Sequence, residues 1–172
     1  MARVYLSLGS NIEAEKYILK GLDALYQAYG DLQLSPAVES EPVGFQGDNF
    51  INLMAVIETD LPLAELSRQL RQIEYDHGRE EHVVKFSGRT LDIDIVMIDD
   101  LCGEHDGIRL PRRDLFEHGY MLYPTSLMEP DLVPPGQEKT ARQLWQVFPH
   151  TEQQLWLREL FWQGRNISEV QE

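Results

Sequence analysis

Ile18, Leu22, Leu25 and Tyr29 recur at intervals of three and four, the spacing of one helix face, and predict a helix over residues 12–29 that Gly30 ends. Leu63, Leu66, Leu70 and Ile73 repeat that pattern over residues 62–77, with Pro62 near the first turn and His77-Gly78 as the stop. Elsewhere the apolar positions are continuous or alternate, as strands require. Such segments cover residues 3–8, 31–40, 50–59 and the run from Leu91 to Ile98. A turn-rich loop, Glu41 to Asp48, separates the second and third strands, and a polar loop from Gly78 to Gly88 precedes the fourth. The order is strand, helix, strand, strand, helix, strand. It predicts an α+β fold with a ferredoxin-like βαββαβ core: an antiparallel sheet carrying two helices on one face. Thr140-Ala141-Arg142-Gln143 and Thr151-Glu152-Gln153-Gln154 both have the form of capping boxes, so two extra short helices are expected to close the chain. Leu144, Trp145, Phe148, Leu155, Trp156 and Phe161 are then packing residues.

With 172 residues and no composition break or linker, residues 1–172 are expected to form a single domain. A formal net charge of -14 argues against a general nucleic-acid binder and against anionic membrane surfaces. No stretch of about eighteen apolar residues occurs, and the first residues lack a leader pattern, so a cytoplasmic monomer or weak homodimer is expected. Cys102, the single cysteine, forms no internal disulfide and has no C-x-x-C partner for zinc. Arg79, Lys85, Arg89, Arg109, Arg112 and Arg113 fall within one stretch, interspersed with Glu80, Glu81 and Asp106.

That basic stretch surrounds the one segment whose alternation places charge inside a strand. Asp92 and Asp94 share a face, with roughly 6 to 7 Å between their Cα atoms, while Leu91, Ile93 and Ile95 fill the other. Two like charges side by side are costly unless a cation lies between them. With Arg89 just upstream, the spacing suits a Mg²⁺ site that handles a polyphosphate. The same D-x-D spacing also occurs on solvated edge strands without metal, and spacing alone leaves both readings open.

The order of short motifs narrows the choice. Leu8-Gly9-Ser10-Asn11 follows the first strand, Phe50-Ile51-Asn52 opens the third, and Ile73-Glu74 through Gly78-Arg79 ends the second helix. Arg89-Thr90-Leu91-Asp92-Ile93-Asp94-Ile95, Gly119-Tyr120-Met121-Leu122-Tyr123-Pro124 and Met128-Glu129-Pro130-Asp131-Leu132 complete the series. In this order and spacing, residues 3 to about 133 resemble the 6-hydroxymethyl-7,8-dihydropterin pyrophosphokinases of folate biosynthesis.

The resemblance implies transfer of pyrophosphate from ATP to the hydroxymethyl oxygen of a reduced pterin, releasing AMP. It implies two Mg²⁺ ions held by Asp92 and Asp94, with Arg79 and Arg89 on the phosphates. It places the pterin between Phe50 and Tyr120, its edge met by Asn52 and by groups near Ser40, Pro42 and Val43. Taken alone, Phe50 and Tyr120 would be read as core. Glu74, Lys85, Arg109, Arg112 and Arg113 join Arg79 and Arg89 as candidate nucleotide-binding residues. The chain departs from the family pattern in four places. Pro111-Arg112-Arg113-Asp114 stands where the family has Pro-His-Pro-Arg, His118 and Glu81 replace arginines, and Phe86 replaces tryptophan. Arg112, Arg113, Arg109, Lys85 or Arg71 is expected to restore the missing positive charge, and the loop from Gly78 to Gly88 to close over ATP. The alternatives are a paralogue that binds pterin or nucleotide without efficient turnover, and a different Mg²⁺-dependent nucleotidyl transferase.

Overall fold

Alternation along three long strands sorts their side chains onto two faces, and only one of those faces receives the two long helices. The computed structural model describes residues 1–42, 46–78, 90–149 and 154–169. Its first half runs β1 (Ala2–Ser10), α1 (Ala14–Tyr29), β2 (Gln33–Leu34), β3 (Ala37–Ser40), β4 (Phe50–Thr59), α2 (Leu63–Asp76) and β5 (Asp92–Ile98). A short hairpin follows, β6 (Gly103–His105) with β7 (Ile108–Leu110), then α3 (Asp114–Glu117), α4 (Gly119–Met128) and α5 (Ala141–Val147). The chain ends in β8 (Leu155–Arg158), β9 (Phe161–Trp162) and β10 (Arg165–Asn166).

The main sheet has the order β5-β1-β4-β3-β8, with β2 also on β4 and every pairing antiparallel. Leu6, Leu8, Leu53, Ile57, Ile93 and Ile95 line the face under α1 and α2, where they meet Ile18, Leu22, Leu25, Leu66 and Leu70 in one buried cluster. Burying a side chain of this size contributes about 1.5–3 kcal/mol, which makes this cluster the main source of stability.

Several elements differ from the pattern expected of the sequence. The first helix starts at Ala14 rather than at residue 12, because Glu13 takes a left-handed conformation with φ 45°. Gly30 closes it as expected, its N–H donating to the Tyr26 carbonyl at 2.9 Å. The strand expected over residues 31–40 is divided into β2 and β3. Leu34 lies opposite Ala55 but Val38 lies opposite Asn52, so one extra residue is accommodated between them. Pro36 has no N–H to donate there, and the Ser35 hydroxyl accepts the Met54 N–H at 2.8 Å.

At the carboxyl end the first capping box forms, Thr140 and Gln143 exchanging side chain to backbone bonds at 3.1 and 2.9 Å. The second expected helix does not follow. Thr151 to Gln153 lie outside the described residues, and Leu155–Arg158 is the strand β8, paired with β3 from Ala37↔Arg158 to Ser40↔Leu155. The unpaired edge of β3 needs partners for its backbone, and that tertiary demand overrides the local helix signal. The helix α4 has no one-sided stripe, since Met121, Leu122, Pro124, Thr125 and Ser126 are all buried. It lies on the second face of the sheet, where Met121 and Leu122 join Tyr5, Met54, Val56 and Met97. Among the described residues no helix is long and apolar enough to cross a membrane.

Candidate active site

The second face of the sheet is apolar under α4 and polar beyond it, and strand register sets the boundary. Gly9 lies opposite Asn52 on one side and Asp92 on the other, and Val38 lies opposite Asn52. One row across four strands therefore reads Val38, Asn52, Gly9, Asp92. The next reads Met54, Ser7, Asp94. Ser40 and Phe50 face each other at the mouth of the same face. With strands about 4.8 Å apart, Asn52 and Asp92 are separated by roughly 10 Å between Cα atoms, the width of a small heterocycle. Beyond a bulge between Tyr5 and Leu6, the row of Val56, Tyr5 and Met97 is covered by α4 and is closed.

Asp92 and Asp94 are half-buried, as a pair that binds a solvated cation must be. Their carboxylate oxygens are hard donors of the type Mg²⁺ takes. A cation already stands beside them: Arg112 Nη1 lies 4.0 Å from Asp94, and its Nε donates to Asp114 at 2.9 Å. The Arg112 backbone N–H is fixed by the Val96 carbonyl at 2.8 Å, which anchors the residue to the end of β5. Burial alone would weaken this guanidinium, but Asp94 and Asp114 more than offset that and raise its pKa further. Arg112 therefore stays charged at every working pH.

Tyr120, near the start of α4, is pushed up to about 12 by burial first and then by Asp114 and Asp94, with Arg112 opposing. The field of the acids reaches the phenol, which stays neutral. His118 stacks on this ring at 5.0 Å between centroids and 18° between planes, covering one of its faces, and the ring also packs against the cluster of Tyr5, Met54 and Met97. Asn52 is buried at 6 % exposure, its Nδ2 donating towards the Leu8 carbonyl at 3.5 Å. Ser40 is 1 % exposed, and its hydroxyl has no hydrogen-bond partner among the described residues. A buried hydroxyl in that condition is costly until a ligand or water completes it.

The remaining candidates separate. Glu74, 3 % exposed, accepts the Ile93 N–H at 2.8 Å with Arg71 3.7 Å away, fastening α2 to the outer edge of β5 between the two acids. Pro42 is half-buried just beyond β3. Arg109 is exposed on β7 opposite Glu104, and Arg113 pairs with Glu117 at 3.1 Å; the structure brings neither into the row. Val43, Arg79, Glu81, Lys85, Phe86 and Arg89 lie outside the described residues, as does most of the expected lid. Asp114, Glu117 and His118 gather ligand atoms within 4.8 Å, but both carboxylates are taken by Arg112 and Arg113.

Three residues of the site were given no role by the sequence, although Gly9 and Asp114 lie within motifs quoted from it. Ser7 and Gly9 enter through register, which alternation alone does not specify. Asp114 enters because it holds Arg112, and only its position two residues away hinted at that.

The family model for 7,8-dihydro-6-hydroxymethylpterin-pyrophosphokinase (HPPK) matches residues 5–130. The 2-amino-4-hydroxy-6-hydroxymethyldihydropteridine pyrophosphokinase of Aquifex aeolicus is 31% identical over 145 residues, covering 83% of this chain and 90% of that protein. The protein of the same name from Pseudomonas aeruginosa is 31% identical over 135 residues, covering 76% and 82%. Among solved structures, a Plasmodium falciparum HPPK-DHPS triple mutant with SDX-DHP superimposes with a TM-score of 0.66 at 14% identity, covering 84% of this chain and 44% of that one. The chain thus spans less than half of that solved structure, and at such identity the likeness is one of fold.

Proposed function

Because the chain belongs to the 7,8-dihydro-6-hydroxymethylpterin-pyrophosphokinase family, we propose that the polar end of its second sheet face is where pyrophosphate passes from ATP to the hydroxymethyl group of a reduced pterin. The observation that carries this reading is the cross-strand row. A buried carboxamide, Asn52, and a half-buried carboxylate, Asp92, face the same way two strands apart, with Asp94 in the adjoining row. A flat heterocycle held at the first end directs its substituent towards the second.

The strand order β5-β1-β4-β3 with both long helices on one face fits a ferredoxin-like core, and β8 extends the same sheet, which favours one domain. At the pterin end, the orphan hydroxyl of Ser40 and the carboxamide of Asn52 supply directional bonds to the ring edge, and backbone near Pro42 and Val43 adds to them. Phe50 and Tyr120 hold the apolar faces of the ring. At the phosphate end, Asp92 and Asp94 would hold Mg²⁺, two ions in this reading, whose charge neutralises the polyphosphate and favours attack at the β-phosphorus. Arg112 turns its planar fork to phosphate oxygens, taking the place of the family histidine with a charge that does not titrate. Arg79, Arg89 and Lys85 complete the cationic side by the family pattern. The work of these residues is positioning and charge compensation, with the hydroxyl proton passing to Asp92 or to water as the bond to the β-phosphorus forms and the bond to the AMP oxygen breaks.

Incubation with ATP, Mg²⁺ and 6-hydroxymethyl-7,8-dihydropterin, followed by mass analysis, is expected to give AMP and the pterin diphosphate in equal amounts. Tight pterin binding without AMP release would overturn the proposal.

A further inference from the structure

We infer that Gly9 is a positioning residue for the pterin: its missing side chain is the space in which the Asn52 carboxamide lies. The inference rests on the function proposed above and adds a residue to it. A Cβ built on Gly9 would fall 2.5 Å from Asn52 Nδ2 and 3.5 Å from its Cγ. Ordinary contact requires nearer 3.5 Å. Gly9 is not among the glycines with positive φ, so its backbone conformation is open to any residue. The constraint is therefore one of space alone. Gly9 is the residue directly opposite Asn52 in the row, and Asn52 Nδ2 reaches past it to the Leu8 carbonyl at 3.5 Å. The carboxamide lies across the strand, flat against backbone, and its Oδ1 and second N–H are the groups that remain for a ligand.

An added methyl would meet the far end of a side chain rather than backbone. The carboxamide gives way, by about 1 Å or by rotation, and the sheet does not. That separates Gly9 from a residue conserving only the fold: substitution should leave stability nearly intact and misplace one hydrogen-bonding group. Hydrogen bonds lose strength steeply with such a shift.

The test is a double-variant cycle on the whole chain, read by calorimetric titration of 6-hydroxymethyl-7,8-dihydropterin with Mg²⁺ and a methylene-bridged ATP analogue present. Gly9→Ala is expected to raise the pterin Kd about tenfold, the scale of one hydrogen bond, with the Kd of the ATP analogue changed less than about twofold. In the Asn52→Ala background, Gly9→Ala should have no further effect, because the group it displaces is gone. In the free protein, the side-chain amide resonances of Asn52 should move on Gly9→Ala while the thermal midpoint holds. Unchanged pterin affinity, or an equal loss in both backgrounds, would overturn the inference and leave the function standing. Failure of Gly9→Ala to fold would also overturn it, since the carboxamide rather than the backbone must yield. If Asn52→Ala itself leaves pterin affinity unchanged, or the unaltered chain binds no pterin, the functional reading fails first.

Discussion

Asn52 and Leu53 are neighbours in β4 and answer to different requirements. Leu53 points into the dry layer beneath α1 and α2, whereas Asn52 points to the face that ends in Asp92 and Asp94. The helix-covered face is apolar through its centre and holds the molecule together. On the second face, α4 closes one end, and the other carries buried Ser7, Ser40 and Asn52 with two half-buried carboxylates. Polar groups placed there lower stability unless partnered, so the face tolerates them only because the other face is so well packed. Period-two alternation lets one set of strands keep these tasks apart, residue by residue.

The comparison breaks most visibly if charge on the second face turns out to support the fold. Asp94→Ala is expected to lower turnover by about a thousandfold, the scale on which losing one group that compensates transition-state charge is felt. Its thermal midpoint should stay within a few degrees, because the Arg112 pair at 4.0 Å is partly exposed and such pairs contribute little. A melt of this variant showing no folded species would refute the division. The converse substitution is Leu53→Ala, expected to cost about 3 kcal/mol in urea unfolding and to leave the rate per folded molecule within about twofold. A lost rate at full stability would show that the two faces are coupled.

Much of this division was legible beforehand. Leu91-Asp92-Ile93-Asp94-Ile95 assigns its carboxylates to one face and its aliphatics to the other without any knowledge of the partners, and the motif order singled out Asn52, Phe50 and Tyr120. Register was not legible. That Gly9 stands between Asn52 and Asp92 depends on how three strands slide past one another, which a single strand does not encode. The break between β2 and β3 shows the same limit. Pro36 is visible in the sequence, but the bond from the Met54 N–H to the Ser35 hydroxyl exists only once β4 is in place. Arg112 was one of five candidate cations; among those the structure describes, anchoring to Val96 and capture by Asp114 place it beside Asp94.

Tyr120 sharpens the comparison by testing how far this part of the second face is shielded from water. The folded pKa is pushed up to about 12 from 10.0, by burial and then by Asp114 and Asp94. Below pH 10 the phenol is neutral in folded and unfolded chains alike, and its contribution to stability is complete. Between about pH 10 and 12 the unfolded chain releases its proton first, so stability falls as pH rises. The unaltered chain should therefore lose about 2 kcal/mol more than Tyr120→Phe between pH 9.5 and 11.5, by urea unfolding at each pH. Equal slopes would mean that the ring is better solvated than its place beside Arg112 and His118 implies.

The smallest expected effect separates the two ends of the second face. Phe50 begins β4 opposite Ser40, at the end of the row proposed for the pterin and away from the acids. It is only half-buried, so truncation removes ring contact without opening a cavity in the core. Phe50→Ala is expected to weaken pterin binding by about tenfold, the upper range for one aromatic stacking contact, and binding of an ATP analogue by less than twofold. Titrating each ligand separately by calorimetry or fluorescence checks this. Equal losses for both would mean that the ring packs as ordinary core and that the pterin is held elsewhere, and Asn52 would then have to carry recognition without a stacking partner on this side.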